Sequence, residues 1–336
     1  MKLLIDTDVG TDDACALILA LSNPKVEVLA ITTVFGNVPL NQAVANASRI
    51  RRLVRKENVP IYAGATGPLI TTAADGCCSK EYHGEDGLGD SPEAYPPYEE
   101  TDFTAEVTGK HAVQAIIDTI HANSGCTMLC LGPLTNLALA LKLDPTLGRN
   151  LNHLYLMGGN YQAVGNVPTR FTAEYNFYKD PESAHIVLSE LQAPITAVPW
   201  EMYVTQPVSK DFADAFTNNQ TTAKGRFVHA ILKKPLTQLA GIDVIFGLCD
   251  EMAAAVAIDP SIVLDSETRY YAAVELNGLY TRGQVAIDRR HCSGRKPNIE
   301  FVTKVDLRKA EKMMLKALED SPHTNECKSD EILTAG

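Results

Sequence analysis

The sequence predicts an α/β protein with a mostly parallel central sheet and helices on both faces. Two observations carry this prediction. Short runs rich in Val, Ile and Leu alternate with helical patterns over residues 1–200, and these runs lack the polar alternation of a half-exposed strand. Strands of this kind are buried on both faces, and parallel strands need the crossover connections that the helical segments supply. The predicted arrangement is Rossmann-like.

The predicted elements follow one another along the chain. Strands are predicted at KLLID, VEVLAITTVFG, IYAGA, TMLCLG, LNHLYLMGG and ITAVPW. Helices are predicted at DDACALILALS, NQAVANASRIRRLVRK, GKHAVQAIIDTIHA, LTNLALALKL and DPESAHIVLSEL. From about residue 207 the pattern becomes helical, then extended at TRYYAAVELN, GQVAIDRR and NIEFVTKV, and it ends in the helix LRKAEKMMLKALE. We therefore expect a helical and extended C-terminal elaboration.

The chain is predicted to form one domain over residues 1–320. No Ser/Gly-rich linker and no internal repeat divides it, and its 45% hydrophobic content suffices for a large core. The stretch 66–106 is rich in Gly, Pro and acidic residues and predicts a long, functional loop near the strand ends. The polar residues 321–336 predict a disordered tail.

The composition limits the partners of the chain. The formal net charge of −11 argues against nucleic acid, because a polyanion needs a basic face. No apolar run of about 18 residues predicts a membrane span, and no signal-peptide pattern begins the sequence, so we expect a cytosolic protein. The eight cysteines form no CxxC pair, which predicts reduced and mostly buried thiols.

Polar residues follow the predicted strands, where ligands of parallel sheets bind. The densest group is DTDVGTDDA, which places Asp6, Asp8, Asp12 and Asp13 within eight residues between a strand and a helix. Turn-forming stretches follow other strands at FGN 35–37, GPLTN 132–136 and MGGN 157–160. These residues are expected to meet at one edge of the sheet.

The acidic group needs a compensating charge. Two carboxylates about 4 Å apart repel by roughly 4 kcal/mol at an effective dielectric near 20, and a helix N-terminus offsets only about 0.3–1 kcal/mol per anion. A divalent cation is sufficient, and all-oxygen ligands select Ca²⁺ or Mg²⁺. Part of the group has a simpler interpretation: Asp6 closes the strand and Asp12 could cap the helix.

One alternative follows from the same residues. A D-x-D motif after a first strand is also typical of haloacid-dehalogenase-type phosphohydrolases, in which Asp6 would be a nucleophile and Asp8 an acid/base. That class needs a later Lys and a further acidic pair at set positions, and the sequence offers no convincing match.

The motifs together resemble the nucleoside hydrolase family, of the inosine-uridine preferring type. They are DTDVGTDDA, FGN at 35–37, HGEDGLG at 83–89, LGPLTN at 131–136, LMGG at 156–159 and AEYN at 173–176, in order over roughly residues 1–318. The resemblance implies hydrolysis of the N-glycosidic bond of ribonucleosides at a Ca²⁺ ion, giving ribose and a free base. A non-catalytic nucleoside- or Ca²⁺-binding protein of the same fold is the second alternative.

The resemblance also implies roles for individual residues. The metal ligands would be Asp8, Asp13, the backbone carbonyl of Leu131, and Asp250. Asp8 would be the general base. The substrate-binding residues would be Asp12 at the 2′-hydroxyl, with Asn37, Met157, Asn166, Glu174 and Asn176. On the base side we place His83 on a closing loop, Cys249, Tyr175 and Trp200.

Cys249 marks a departure from the best-known family pattern. Many members carry a His directly before the late metal-binding Asp, where it is taken to protonate the leaving base, and this sequence reads FGLCDEM. The resemblance therefore assigns the chain to a branch with Cys at this position. It also implies a homodimer or homotetramer, and it leaves the preferred base open.

Overall fold

Ten strands and thirteen helices are present in the computed structural model, which describes residues 1–70, 79–103, 109–169, 171–239 and 246–320. The predicted tail, 321–336, lies outside these residues. The strands are β1 (Lys2–Thr7), β2 (Glu27–Thr33), β3 (Ile61–Ala63), β4 (Cys126–Cys130), β5 (Leu151–Met157), β6 (Ile195–Val198), β7 (Val263–Glu267), β8 (Ala272–Val274), β9 (Val285–Ile287) and β10 (Glu300–Val305). None of the described helices is long and apolar enough to cross a membrane.

The helices connect and cover these strands. They are α1 (Thr11–Ser22), α2 (Leu40–Leu53), α3 (Lys80–His83), α4 (Glu100–Phe103), α5 (Ala112–Ala122), α6 (Thr135–Leu143), α7 (Tyr175–Lys179), α8 (Pro181–Glu190), α9 (Trp200–Thr205), α10 (Lys210–Thr217), α11 (Ala223–Leu239), α12 (Asp250–Ile258) and α13 (Leu307–Ala317). Two 3₁₀ turns, Leu147–Asn150 and Pro260–Ile262, precede β5 and β7.

Eight strands form the central sheet in the order β3-β2-β1-β4-β5-β6-β10-β7, and only β7 runs antiparallel to its neighbour. Successive side chains of a strand point to opposite faces. Leu3 and Ile5 of β1 accordingly pack in one core with α1 and α12, while Leu4 packs in a second core with α5 and α6. The predicted mostly parallel sheet with helices on both faces is confirmed.

The C-terminal part differs from the sequence prediction in two ways. Strand β7 has no counterpart among the predicted strands, because its residues are half-exposed at the sheet edge and carry no buried apolar run. Strand β10, predicted as part of a separate elaboration, lies inside the central sheet, parallel to β6 and antiparallel to β7. Only β8 and β9 form a small separate sheet.

The strand order reverses beside β1. The chain proceeds from β1 outward to β2 and β3, then crosses back to place β4 on the other side of β1. This reversal opens a crevice at the carboxyl ends of β1 and β4. The backbone N–H of Leu131, just after β4, donates to the Asp6 carbonyl at 2.8 Å, which holds the two strand ends together at this crevice.

Candidate active site

The turn from β1 into α1 carries the acidic group. Val9 has a φ of 33°, a conformation that a β-branched residue adopts only under constraint. Asn46 supplies part of that constraint, since its Nδ2 donates to the Val9 carbonyl at 2.9 Å. Asp13 Oδ2 accepts the N–H of Gly10 at 2.8 Å. The cap of α1 is therefore provided mainly by Asp13, while Asp12 accepts only the neighbouring N–H of Asp13 at 3.1 Å.

Asp6 and Asp8 face different surroundings. Asp6 Oδ1 accepts hydrogen bonds from Thr32 and Asn136, which fits the structural interpretation of this residue. Asp8 is fully buried; its Oδ2 accepts the N–H of Asn37 at 2.6 Å. Asp8 Oδ1 is buried without a hydrogen-bond partner among the described residues. A buried carboxylate oxygen ordinarily has a partner, so Asp8 Oδ1 is a candidate to bind a cation or to accept a hydrogen bond from a ligand.

The close approach of Gly36 to Asp8 permits a prediction. A Cβ at residue 36 would lie 1.9 Å from Asp8 Oδ2, so Gly36→Ala must displace the carboxylate without changing its chemistry. We expect kcat for the hydrolysis that the resemblance implies to fall at least about 100-fold. Gly67→Ala is the matched control, since a Cβ there meets nothing within 4 Å. Steady-state kinetics in which both variants match the wild type would contradict the observed position of Asp8.

Three carboxylates lie close enough to share a metal ion. Ligand atoms of Asp12, Asp13 and Asp250 lie within 4.8 Å of one another. This group contains Asp12 in place of Asp8, which the resemblance had assigned to the metal. The Leu131 carbonyl is present at the same site, where it accepts Asn176 Nδ2 at 2.8 Å. The cluster could therefore hold a metal ion through hard oxygen ligands.

The electrostatics of the cluster support a bound cation. Burial raises the pKa of Asp8, Asp13 and Asp250, and the negative charges of neighbouring carboxylates raise it further. Hydrogen bonds from Thr7 and Gly10 only partly oppose this shift at Asp13. The described residues that line the adjacent cavity include no Lys or Arg. A divalent cation would supply the missing positive charge.

The cavity beside the cluster has a volume of about 540 Å³, in the range of small-molecule sites. Every predicted substrate and base-side residue lines it. These residues are Asp12, Asn37, His83, Met157, Asn166, Glu174, Tyr175, Asn176, Trp200 and Cys249. Leu131, through which a backbone carbonyl is offered, and Asp250 also line the cavity. Asp8 and Asp13 are fully buried and are not among its lining residues.

One wall of the cavity is organised by Glu174. Its carboxylate caps α7 by accepting the N–H groups of Asn176 at 2.8 Å and Phe177 at 3.1 Å. Asn176 Nδ2 in turn donates to the carbonyls of Leu131 at 2.8 Å and Met157 at 3.1 Å. Asn166 Oδ1 is buried and lacks a partner among the described residues. It is therefore an acceptor available to a ligand hydroxyl.

His83 is less exposed than its sequence context predicts. It ends the single helical turn α3 and is buried, whereas the sequence placed it on a loop. Its Nδ1 accepts the N–H of Thr11 at 3.1 Å, so the neutral ring carries its proton on Nε2. Burial lowers the pKa of His83 to about 4. The ring is neutral at pH 7.

Two tyrosines among the lining residues of the cavity were not predicted. Tyr203 stacks on Trp200 with ring centroids 4.5 Å apart, and Tyr82 packs edge-on against His83 at 4.9 Å. Both tyrosines line the cavity. The helical spacing of Trp200 and Tyr203, three residues apart in WEMY, was the available sequence signal. The remaining lining residues that the sequence did not single out are Ser79, Glu81, Pro168 and Thr169.

The fold and the site define a class of protein: an α/β enzyme with a cluster of carboxylates that could hold a metal ion and a polar, aromatic-lined cavity at the point of strand reversal. The sequence profile described as inosine-uridine preferring nucleoside hydrolase matches residues 3–312. The chain belongs to this family, whose members hydrolyse N-glycosyl bonds of nucleosides.

Individual relatives agree with this assignment. An inosine-uridine preferring nucleoside hydrolase of Leishmania major is 33% identical over 321 residues, covering 95% of this chain and 97% of the relative. The protein of the same description from Crithidia fasciculata is 33% identical over 326 residues, with the same coverage. A solved inosine-guanosine nucleoside hydrolase matches with a TM-score of 0.85 at 33% identity, over 95% of this chain and 99% of that one.

Proposed function

We propose that this protein hydrolyses ribonucleosides to ribose and free base in a Ca²⁺-dependent reaction, with Asp8 as the general base. The observation that carries the proposal is the buried Asp8 Oδ1, which has no donor among the described residues. It belongs to a group of carboxylates whose pKa values are raised by burial and mutual repulsion. A base needs a free acceptor oxygen, and a cation site needs uncompensated negative charge.

The proposed Ca²⁺ ligands are Asp8, Asp13, the Leu131 carbonyl and Asp250. The proximity of Asp12 to Asp13 and Asp250 adds Asp12 as a further candidate. Leu131 can keep its hydrogen bond from Asn176 while binding an ion, because a carbonyl oxygen has two lone pairs. A bound ion would supply positive charge to the site and would favour ionisation of the attacking water.

The side chains of the chain perform the remaining steps. Asp8 takes a proton from the water molecule while the water oxygen bonds to the anomeric carbon. The N–H of Asn37 holds the Asp8 carboxylate in place through a hydrogen bond of 2.6 Å. The ribose carbon becomes cationic as the glycosidic bond breaks. The surrounding carboxylates, including Asp12 at the 2′-hydroxyl, favour that charge electrostatically.

Asparagine side chains that line the cavity make the proposed contacts to the ribose. Asn166 Oδ1, which is buried and has no hydrogen-bond partner in the described part of the chain, would accept a hydrogen bond from a ribose hydroxyl. Asn176 is fixed by Glu174 and by the Met157 carbonyl, so its amide is oriented before the sugar arrives. Preorganised contacts of this kind lose little entropy when the substrate binds. Tyr175, held by its bond to the Gly36 carbonyl at 2.9 Å, and Trp200 would flank the ribose or base.

Cys249 is not the proposed leaving-group acid. Burial and the charges of Asp12 and Glu251 raise the pKa of its thiol well above the ordinary value, so it stays neutral and donates weakly. We expect Cys249→Ala to lower kcat on inosine by less than about tenfold, whereas general acid catalysis is worth about 10²–10⁴-fold. Cys292→Ala, at an exposed thiol, is the control. A loss of about a hundredfold at Cys249 would identify it as the acid.

The two alternative functions have less support. A phosphohydrolase needs cations around the transferred phosphate, and the described lining residues of the cavity offer acidic groups but no Lys or Arg. A non-catalytic binding protein is disfavoured by the complete set of acidic and amide residues. Release of inorganic phosphate from nucleotides, without ribose release from nucleosides, would favour the phosphohydrolase.

The proposed function has a direct test. The protein is incubated with inosine, guanosine, adenosine, uridine and cytidine, with and without chelator, and free ribose is measured. We expect chelator-sensitive ribose release from at least one nucleoside. Absence of release from all five at millimolar substrate and Ca²⁺ would contradict the proposal. Cytosolic location and assembly into a homodimer or homotetramer stay predictions; light scattering would measure the assembly.

A further inference from the structure

The base side of the cavity contains two phenolic hydroxyls that the proposed mechanism does not use. Tyr82 and Tyr203 both line the cavity and are half-buried. Among the residues that the structure describes, neither hydroxyl has a hydrogen-bond partner. A Tyr hydroxyl in such a cavity ordinarily has a hydrogen-bond partner. A bound ligand is therefore the expected partner of both hydroxyls.

Both rings are held by packing. The Tyr203 ring stacks on Trp200 with an interplanar angle of 11°. The ring also lies close to the backbone at Gly247, where an added Cβ would be 2.7 Å from a ring atom. The Tyr82 ring meets the His83 ring at an angle of 76°, and His83 is itself tied to Thr11. The rings are therefore oriented before a ligand binds.

Tyr82 and Tyr203 line the same cavity. Burial raises the pKa of both phenols, and Asp12, Cys249 and Glu251 raise it further for each. Cys249 and Asp250, at the start of α12, line the same cavity as the two tyrosines. A phenol whose pKa lies above its ordinary value near 10 is protonated at neutral pH, so both hydroxyls can donate hydrogen bonds.

We infer that Tyr82 and Tyr203 are the hydrogen-bond donors that stabilise the departing nucleobase. This inference rests on the proposed function. As the C1′–N bond breaks, its electron pair stays on the base. The ring nitrogens and carbonyl oxygens of the base then accept hydrogen bonds from the phenolic hydroxyls. The water oxygen bonds to C1′, Asp8 takes one water proton, and the released base gains one proton from solvent. Donors aimed at developing negative charge are worth about 10²–10³-fold each in other hydrolases.

A comparison of two leaving groups tests this role. Tyr82→Phe, Tyr203→Phe and the double variant are assayed on the nucleoside that the wild type hydrolyses fastest and on p-nitrophenyl β-D-ribofuranoside, whose leaving group departs as a stable anion without a donor. We expect each single variant to lose about 10–100-fold in kcat on that nucleoside and less than about threefold on the nitrophenyl riboside. Tyr95→Phe, at an exposed tyrosine outside the cavity, is the matched control.

The outcomes separate the inference from the proposed function. Equal losses on both substrates, or no loss on either, would overturn the role of the tyrosines while the wild-type activity upholds the proposed function. Retained activity on the nitrophenyl riboside shows that a variant is folded and binds ribose. If the wild type released ribose neither from any of the five nucleosides nor from the nitrophenyl riboside, the proposed function would fail, and the inference with it.

Discussion

Asp8→Asn is expected to lower kcat for nucleoside hydrolysis by at least about 10³-fold. The amide is isosteric, but it can neither take a proton from water nor contribute a negative charge to the cation site. Because Asp8 Oδ2 accepts the N–H of Asn37, the Asn oxygen can keep that bond and the fold should persist. Single-turnover kinetics at saturating nucleoside measure the effect.

Asn176→Ala is the comparison for this experiment. Asn176 bonds the carbonyls of Leu131 and Met157, so its loss should mainly raise KM, with a smaller loss of kcat where ribose contacts strengthen in the transition state. Asp8→Ala should resemble Asp8→Asn. If Asp8→Asn retained a kcat near that of the wild type, the general base would have to be another residue.

Removal of metal is expected to abolish activity, and readdition of Ca²⁺ to restore it. Dialysis against a chelator leaves the buried carboxylates without a compensating charge. Ligand binding to the folded state raises stability, by about 2.7 kcal/mol at 100 times Kd, so Ca²⁺ should also raise Tm. Metal analysis that found Zn²⁺ in the active protein, or full activity after exhaustive chelation, would contradict the assignment.

The pH dependence of this Tm increase follows from the raised pKa values. In the metal-free fold Asp8 and Asp250 hold protons above the pH at which the unfolded chain releases them, so metal-free stability falls as the pH rises from about 4. Ca²⁺ must displace these protons, and its affinity therefore grows with pH. Differential scanning fluorimetry should show a larger increase of Tm by Ca²⁺ at pH 8 than at pH 5.

Much of the cation site could be predicted from the sequence because its chemistry is local. Asp8, Asp12 and Asp13 lie on one turn, and their mutual repulsion demands compensation wherever the chain places them. Asp250 and Leu131 came only through the family resemblance. The structure brings them to the same crevice because β4 pairs beside β1 and α12 packs on α1.

The positions of the residues on the base side depend on long-range contacts, which no periodic pattern in the sequence encodes. His83 was expected on a loop, yet it is buried against Thr11, which lies 72 residues away in the chain. Tyr82 and Tyr203 come from separate short helices that touch the same cavity. Their positions follow from the packing of connecting segments around the sheet edge.

The sequence by itself determined the parallel sheet and the helices on both faces, because buried strands and amphipathic helices have characteristic apolar patterns. It also determined the acidic strand end, because the carboxylates are close together in the sequence. Only the tertiary structure decided that β10 enters the central sheet, that Asp12 approaches Asp250, and that two tyrosines face the cavity. These features join segments distant in the chain, and such pairing is set by topology and packing, which local patterns do not specify.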